Sequence, residues 1–347
     1  MKRIAVLLAI LGFLAAACSA GATAIPVPTS APSTDMPGMS SSVAPAGQTA
    51  PPAVTPDAPF KPYPAELPPA SPDKVKHITL EVKDANLEVA PGVVMHAWTF
   101  NGTMPGPVIH VRQGDTIDFT LVNHGSMQHS IDFHAAQTAW DKNYQSISPG
   151  QSESFTWTAN YPGVFMYHCG TPPVMYHIAS GMYGAIVVDP AQPLPPAKEY
   201  VLVQSELYLT QGADGYYTTD GAKANAIQPS YVVFNGAASQ YSSAPLMADP
   251  GQLIRIWVVN AGPTTFSAFH VIGALFQNSY ADGNPANKQY GNQTVTIPPG
   301  GGYMMELTIP DAGLYPFVTH SFAYTGLGAL GLIDVGNVPV PNMPVSH

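Results

Sequence analysis

The chain has 347 residues, of which 46% are hydrophobic, so it is long enough for about two domains with apolar cores. Its formal net charge is −10, with 12 Lys and Arg residues against 22 Asp and Glu residues, and its basic residues form no run. Because nucleic-acid binding depends on clustered positive charge, this composition argues against a nucleic-acid partner.

The first 18 residues have the pattern of a bacterial lipoprotein signal peptide. Lys2 and Arg3 precede the apolar stretch 4–17, and the sequence L-A-A-A-C that ends at Cys18 resembles a lipobox, in which the cysteine is lipidated. We therefore predict an exported protein of the bacterial cell envelope that contacts the membrane through a lipid anchor only. The apolar stretch is too short for an ordinary transmembrane helix. The alternative is an ordinary signal peptide that is cleaved off with Cys18.

Residues 19–72 are dominated by Ala, Pro, Ser and Thr and contain few aromatic residues. Such a segment cannot bury enough apolar surface to fold, so we predict a disordered tether that ends near residue 73. With Cys18 used for lipid, Cys169 is the one cysteine that remains. No pair is then left for a disulfide, and the folded part depends on its apolar core.

Between residues 76 and 335 the sequence consists of short stretches rich in β-branched and aromatic residues, separated by Gly, Pro and Asn. No long helical period is visible. The pattern predicts an all-β sandwich architecture. The clearest predicted strands are residues 116–122, 154–157, 185–188 and 253–258.

The segment Y-H-C-G-T-P-P-V-M-Y-H-I-A-S-G-M holds a candidate metal site. Seven residues separate Cys169 from His177 and four separate His177 from Met182, which is the spacing of a blue-copper ligand loop. A thiolate, imidazoles and a weak thioether make the trigonal copper site that transfers one electron. Such a site needs a second histidine from an earlier strand, and His129 is the obvious donor.

Two further histidines indicate a second metal. His168 is the neighbour of Cys169, and adjacent side chains on a strand point to opposite faces. His168 therefore cannot share the metal of Cys169, although only a few covalent bonds separate them. His134 follows His129 by five residues, which lets these two histidines turn towards different metals.

The chain contains an internal repeat, which indicates a duplicated domain. We place the first domain at residues 73–192 and the second at residues 193–347, with the break near the Pro-rich stretch 190–197. The recurring motifs are F-N-G at positions 100 and 234, Gly114 with Gly251, P-G at positions 149 and 299, and Gly163 with Gly313.

Alignment of the two copies shows what the second copy lost and kept. Thr319 falls at the position of Cys169, so the second domain lacks the thiolate of a blue-copper site. His320 falls one position later and belongs to the opposite face. His270 falls close to the position of His134. The second domain thus keeps two histidines for a second, shared site.

These motifs resemble those of copper-containing nitrite reductases, over residues 98–335. The resemblance rests on F-N-G-x-x-P-G-P, H-x-x-D-F-H, Y-H-C, H-I-A-S-G-M-Y-G, F-H-V-I-G and T-H-S-F. The seven-residue gap is similar to the shorter-loop branch, which includes outer-membrane lipoproteins. The resemblance implies two tandem cupredoxin-like Greek-key β-sandwich domains. It also implies a homotrimer with a type 2 copper between the first domain of one subunit and the second domain of the next.

By resemblance, each subunit binds two coppers and reduces nitrite to nitric oxide in denitrification. The ligands implied for type 1 copper are His129, Cys169, His177 and Met182, and those for type 2 copper are His134, His168 and His320. Asp132 and His270 are implied as the catalytic acid–base pair. The reaction uses two protons and one electron, which passes from Cys169 to His168. A small redox protein of the cupredoxin or cytochrome c type is the implied donor.

Two segments depart from the pattern of that family. Residues 137–148 replace a Gly-rich stretch of small residues, and residues 322–325 replace a bulkier segment after the last ligand. Both segments are expected near the substrate channel.

Two alternatives remain at this point. A two-domain multicopper oxidase of laccase type needs four His-x-His pairs, and the sequence contains no His-x-His. A non-enzymatic copper lipoprotein for electron transfer explains the type 1 ligands but not His134, His320, Asp132 and His270. Counting copper separates the readings, since a carrier binds one per subunit, the reductase two and the oxidase four.

Overall fold

The computed structural model of the protein describes residues 52–340. Cys18, the predicted signal peptide and residues 19–51 of the predicted tether lie outside this range. Among the described residues, no helix combines the length and the apolar character that crossing a bilayer requires.

The first half of the chain forms one β-sandwich. Its elements are β1 (Val75–Ala90), β2 (Val93–Phe100), β3 (Ile109–Arg112), β4 (Thr116–Asn123), β5 (Asp132–Phe133), α1 (Trp140–Asn143), β6 (Ser152–Thr158), β7 (Gly163–His168), α2 (Val174–Ala179) and β8 (Tyr183–Asp189). In β4, buried and partly exposed residues alternate strictly, as expected for a strand with one face on the core.

The second half forms another sandwich. Its elements are β9 (Lys198–Leu207), β10 (Leu209–Gln211), β11 (Tyr217–Thr219), α3 (Gly221–Asn225), β12 (Tyr231–Phe234), α4 (Gln240–Ser243), β13 (Leu246–Ala248), β14 (Leu253–Gly262), β15 (Ser267–Val271), β16 (Phe276–Ala281), β17 (Lys288–Asn292), β18 (Thr294–Ile297), β19 (Gly302–Thr308), β20 (Gly313–Thr319), α5 (Phe322–Thr325) and β21 (Leu330–Val335). A single 3₁₀ turn, Pro285–Asn287, precedes β17. The all-β prediction is confirmed, and each of the four predicted strands lies within an observed one.

Each sandwich consists of two sheets. The first pairs the sheet β10-β11-β2-β1-β4-β6 with the sheet β3-β8-β7-β5, and the second pairs β12-β9-β14-β19-β16-β17 with β13-β21-β20-β15-β18. Strands β10 and β11 come from the range that the sequence assigns to the second domain, yet they extend the first sandwich through the pairing of Tyr217 with Met95. The first sandwich encloses an apolar core that includes Cys169 and Met182. A further buried cluster, which includes Val164, Trp257 and Met304, joins the two sandwiches.

The duplication is visible in the backbone. Asn101 and Asn235 both have positive φ angles, of 59° and 54°, and each is followed by a glycine that also has a positive φ. The side-chain amides of Asn123 and Asn260 each donate to two backbone carbonyls at equivalent turns. The repeat in the sequence therefore corresponds to the same local structure in each sandwich.

The structure places His270 more precisely than the alignment of the two sequence repeats does. The backbone N–H of Ser130 donates to Cys169 Sγ, and that of Ala268 donates to Thr319 Oγ1, so these two pairs are equivalent. His270 follows Ala268 by two residues, as Asp132 follows Ser130. His270 therefore occupies the position of Asp132, two residues from the equivalent of His134.

The last part of the predicted tether makes ordered contacts. The backbone N–H of Asp57 donates to Asn86, that of Val201 donates to Ala65, and that of Leu67 donates to Glu199. Its own sequence has little to bury, but its backbone groups find partners on strands β1 and β9. Residues 57–67 of the predicted disordered tether are therefore hydrogen-bonded to the folded part of the chain.

Candidate metal centres

Cys169, His129 and His177 converge in the core of the first sandwich. Cys169 Sγ lies 3.3 Å from His177 Nδ1 and 3.8 Å from His129 Nδ1, and the two nitrogens are 3.2 Å apart. All three residues are buried. The two ring nitrogens and the sulfur thus form a compact triangle.

Three different elements place these side chains. Cys169 follows strand β7 directly, His177 lies in helix α2, and His129 is fixed by an isolated bridge to Ile147. Burial lowers the pKa of His129 to about 4, with a contribution from the charge of His177, and burial lowers the pKa of His177 to about 4. Both imidazoles are therefore neutral at pH 7, which leaves a nitrogen lone pair on each ring for a metal.

The triangle fits a transition metal. For edges of 3.2, 3.3 and 3.8 Å, the mean is about 3.4 Å, and dividing by √3 places the centre about 2.0 Å from each corner. Metal–nitrogen and metal–sulfur bonds are about 2.0–2.3 Å long. One thiolate and two imidazoles in a trigonal arrangement are the donors that a blue-copper site uses.

Met182 also belongs to this region. It is fully buried in the same core, and its backbone carbonyl accepts a hydrogen bond of 3.1 Å from the N–H of Cys169. Its own N–H donates to the carbonyl of His177 at 3.2 Å. Two backbone hydrogen bonds therefore hold Met182 between the loop that carries Cys169 and the helix that carries His177.

Two neighbours of this triangle were not predicted from the sequence. The N–H of Ser130 donates to Cys169 Sγ at 3.4 Å. The indole of Trp98 packs against both imidazoles, with ring centroids 5.5 Å from His129 and 4.8 Å from His177. The position of Ser130 directly after a predicted ligand was the available signal, whereas Trp98 lies on β2, distant in sequence.

Asp132, His134 and His168 form a second group on the opposite side of β7. The Nε2 atoms of His134 and His168 are 3.1 Å apart, and Asp132 Oδ2 lies 3.7 Å from His168 Nε2. His168 is buried, Asp132 is half-buried and His134 is exposed. The group therefore opens to the surface of the described chain.

Hydrogen bonds fix the tautomers of both histidines. The Nδ1–H of His134 donates to the carbonyl of Gly300 at 3.0 Å, and the Nδ1–H of His168 donates to the carbonyl of Cys169 at 2.9 Å. A neutral ring with a proton on Nδ1 has a lone pair on Nε2, so two lone pairs face each other. Burial lowers the pKa of His168, which disfavours a proton on its Nε2. A cation between the rings satisfies both lone pairs. The two carbonyls that accept from the Nδ1–H groups orient the rings for such a cation, as carbonyl partners commonly do for histidines that bind metals.

Gly300 is a contribution that the sequence did not identify. It lies in the P-G turn of the second sandwich and has a φ of +77°. A Cβ at this position would lie 3.1 Å from His134 Cε1. The turn was recognised as part of the repeat, but its contact with His134 joins residues 166 positions apart.

His270 and His320 form a separate pair in the second sandwich. Their ring centroids are 5.4 Å apart, and His270 Nδ1 donates to the carbonyl of Gln293 at 2.6 Å. His320 is exposed, and its backbone N–H donates to the carbonyl of Ala268. Within the described part of one chain, this pair is not among the groups of three or more potential ligands that converge.

The two divergent segments differ in their relation to these groups. Phe322, at the start of α5, packs edge-on against His320 with ring centroids 4.6 Å apart. In the segment 137–148, Trp140 is 75% exposed, and Ser146 contacts Thr171, two residues from Cys169. The segment 322–325 thus borders His320, and the segment 137–148 contacts the loop that follows Cys169.

Comparison with known proteins agrees with this geometry. The multicopper oxidase family matches residues 81–193. The chain is 37% identical over 290 residues to a copper-containing nitrite reductase of Neisseria gonorrhoeae, which covers 80% of this chain and 74% of the relative. It is similar in structure to the copper nitrite reductase of Nitrosomonas europaea, with a TM-score of 0.71, 38% identity, and coverage of 78% of this chain and 98% of the other. The copper-containing nitrite reductase of Thermus scotoductus gives a TM-score of 0.70 and 34% identity, over 78% of this chain and 64% of the other.

Proposed function

The chain belongs to the family of copper-containing nitrite reductases, and we propose that it reduces nitrite to nitric oxide with two coppers per subunit. It is a copper-dependent oxidoreductase with two cupredoxin-fold domains. The proposed type 1 ligands are His129, Cys169, His177 and Met182, and the proposed type 2 ligands are His134, His168 and His320.

One observation carries the proposal. Cys169 belongs to the triangle in the core and His168 to the group at the surface, and one peptide bond joins them. When bound, the first copper supplies one-electron transfer and the second supplies a position for an anion. The peptide unit between Cys169 and His168, with the hydrogen bond from His168 Nδ1 to the Cys169 carbonyl, provides a short path for the electron.

The reaction requires protons at the substrate: NO₂⁻ + 2 H⁺ + e⁻ gives NO + H₂O. Asp132 is half-buried beside His134 and His168, with Oδ2 3.7 Å from His168 Nε2, so its carboxyl group would lie next to an anion bound at this group. An imidazole can accept a proton at one ring nitrogen and donate one from the other. We assign one proton to Asp132 and the relay of the other to His270.

The distribution of the histidines supports a shared site. His134 and His168 have an open side, and His320 is exposed on the second sandwich of the same chain. A neighbouring copy that presents its His320 and His270 to this open side completes three imidazole ligands and the proton relay. A closed ring of three such heterologous contacts is a homotrimer.

We further propose that the protein works at the bacterial cell envelope, anchored through lipid on Cys18. The support is the signal-like sequence of residues 1–18. A small redox protein of the cupredoxin or cytochrome c type would deliver the electron to the site of Cys169, since the reaction consumes one electron per nitrite.

The test is a copper determination on the purified chain combined with a nitrite-dependent assay of nitric oxide, using an artificial electron donor. We expect two coppers per chain and nitric oxide formation. One copper without turnover would identify an electron carrier, and four coppers with oxygen consumption would identify an oxidase.

A further inference from the structure

Three hydroxyl groups form a continuous chain between the surface and Cys169. Ser146 Oγ lies 2.8 Å from Thr171 Oγ1, Thr171 Oγ1 donates to Ser130 Oγ at 3.2 Å, and Ser130 Oγ lies 4.0 Å from Cys169 Sγ. Ser130 and Thr171 are buried, whereas Ser146 is exposed. Ser146 belongs to the divergent segment 137–148.

The contacts fix the direction of these hydroxyl groups. Ser130 Oγ accepts from the N–H of Gly170 at 3.0 Å and from the hydroxyl of Thr171, which uses both of its lone pairs. Among the described residues, the acceptor left within reach of its own proton is Cys169 Sγ. Because Thr171 donates to Ser130, the proton between Ser146 and Thr171 comes from Ser146.

We propose that Ser146, Thr171 and Ser130 are positioning residues that raise the reduction potential of the copper held by Cys169. This rests on the copper site of the proposed function, but not on nitrite as the substrate. Reduction places more negative charge on the copper–thiolate unit, and the O–H dipole of Ser130, which points at the sulfur, stabilises that charge. Each hydroxyl polarises the next, so the exposed end of the chain contributes to the buried end. The segment 137–148 thereby acts on the thiolate through Ser146.

The experiment is a redox titration of the copper-loaded full chain, followed by its visible thiolate-to-copper absorption. We expect Ser130→Ala to lower the equilibrium constant for reduction by about three- to tenfold, the size of one net hydrogen bond. A tenfold change corresponds to about 59 mV for one electron. Thr171→Val should lower this equilibrium constant by less than Ser130→Ala does, and Ser146→Ala should lower it least, by about twofold.

Matched variants distinguish tuning from support of the fold. Ser146→Thr keeps the hydroxyl and should retain the potential of the unaltered chain. Ser148 lies in the same segment, but its hydroxyl accepts from the side chain of Gln128 and does not belong to the chain of three hydroxyl groups. Ser148→Ala should therefore leave the reduction potential unchanged. Because Ser146 is exposed, its variants are expected to fold.

An unchanged potential in Ser146→Ala, or an equal shift in Ser148→Ala, would overturn the proposal. So would absence of the visible band from the unaltered chain, which would remove the copper site on which the proposal depends. Nitrite is not needed in any of these measurements. A failure of the nitrite reductase assignment would therefore appear separately, as a normal band and potential without nitric oxide formation.

Discussion

Asp132 and His270 occupy the same position in the two halves of the duplicated fold. Asp132 on β5 pairs with His168 on β7, and His270 on β15 pairs with Val318 on β20, one residue before Thr319. The same strand position therefore presents a carboxylate in one sandwich and an imidazole in the other. In the proposed trimer, these equivalent groups from neighbouring subunits face one substrate.

Cys169→Ala should abolish the visible colour of the protein while one copper per chain remains. The intense absorption of a blue-copper site comes from the copper–thiolate bond, and the second group contains no sulfur. Visible spectroscopy and metal analysis of the purified variant test this expectation. Retention of the blue or green colour would contradict the assignment of Cys169 as a ligand.

Mixing of two inactive variants should restore activity if the second site is shared. His134→Ala and His320→Ala each remove one ligand. In a mixed trimer, however, some interfaces join a subunit that keeps its His134 to a neighbour that keeps its His320. We expect partial recovery of nitrite turnover after the variants are unfolded and refolded together, and none when they are mixed without exchange. Verified mixed trimers without activity would indicate a site built within one chain.

His110 should stabilise the chain more at low pH than at high pH. Its Nδ1–H donates to the Pro68 carbonyl at 2.6 Å, and its Nε2 lies 3.0 Å from Asp189 Oδ2. Burial disfavours the charged form of His110. Asp189, through its charge and a hydrogen bond, and the Pro68 carbonyl favour that form more strongly, so the pKa of His110 is raised overall. The stabilisation is therefore fully present below the unfolded pKa of about 6.5 and is lost as pH rises through the folded pKa.

Urea unfolding of His110→Gln and the unaltered chain at pH 5.5 and 8.5 measures this difference. We expect His110→Gln to lower the free energy of unfolding by about 1–2 kcal/mol at the lower pH and by less at the higher pH. His77→Gln is the matched control, because His77 also faces a carboxylate, Asp118, but is 76% exposed. Exposed ion pairs contribute little to stability, so His77→Gln should change the free energy of unfolding very little at either pH.

Much of the fold and of the group around Cys169 could be predicted from the sequence because both depend on local patterns. Alternation and Gly-Pro boundaries located strands such as β4, and the spacing from Cys169 to His177 within one loop located two corners of the triangle. The carbonyl of Gly300 behind His134 and the pairing of Tyr217 with β2 join distant parts of the chain. No local periodicity encodes such contacts.

Asp132→Asn and His270→Asn should each retain two coppers and lose about 10²–10⁴-fold in nitrite turnover, the usual contribution of a positioned general acid or base. Asparagine keeps hydrogen-bonding capacity but has no titratable proton. His270 Nδ1 is already bound to the Gln293 carbonyl, so Nε2 is the nitrogen left for proton relay. Because protons are consumed, turnover by the unaltered chain should fall as pH rises above neutrality, and this dependence should weaken in both variants. Near-normal turnover with copper content confirmed would mean that these side chains support the site without moving protons.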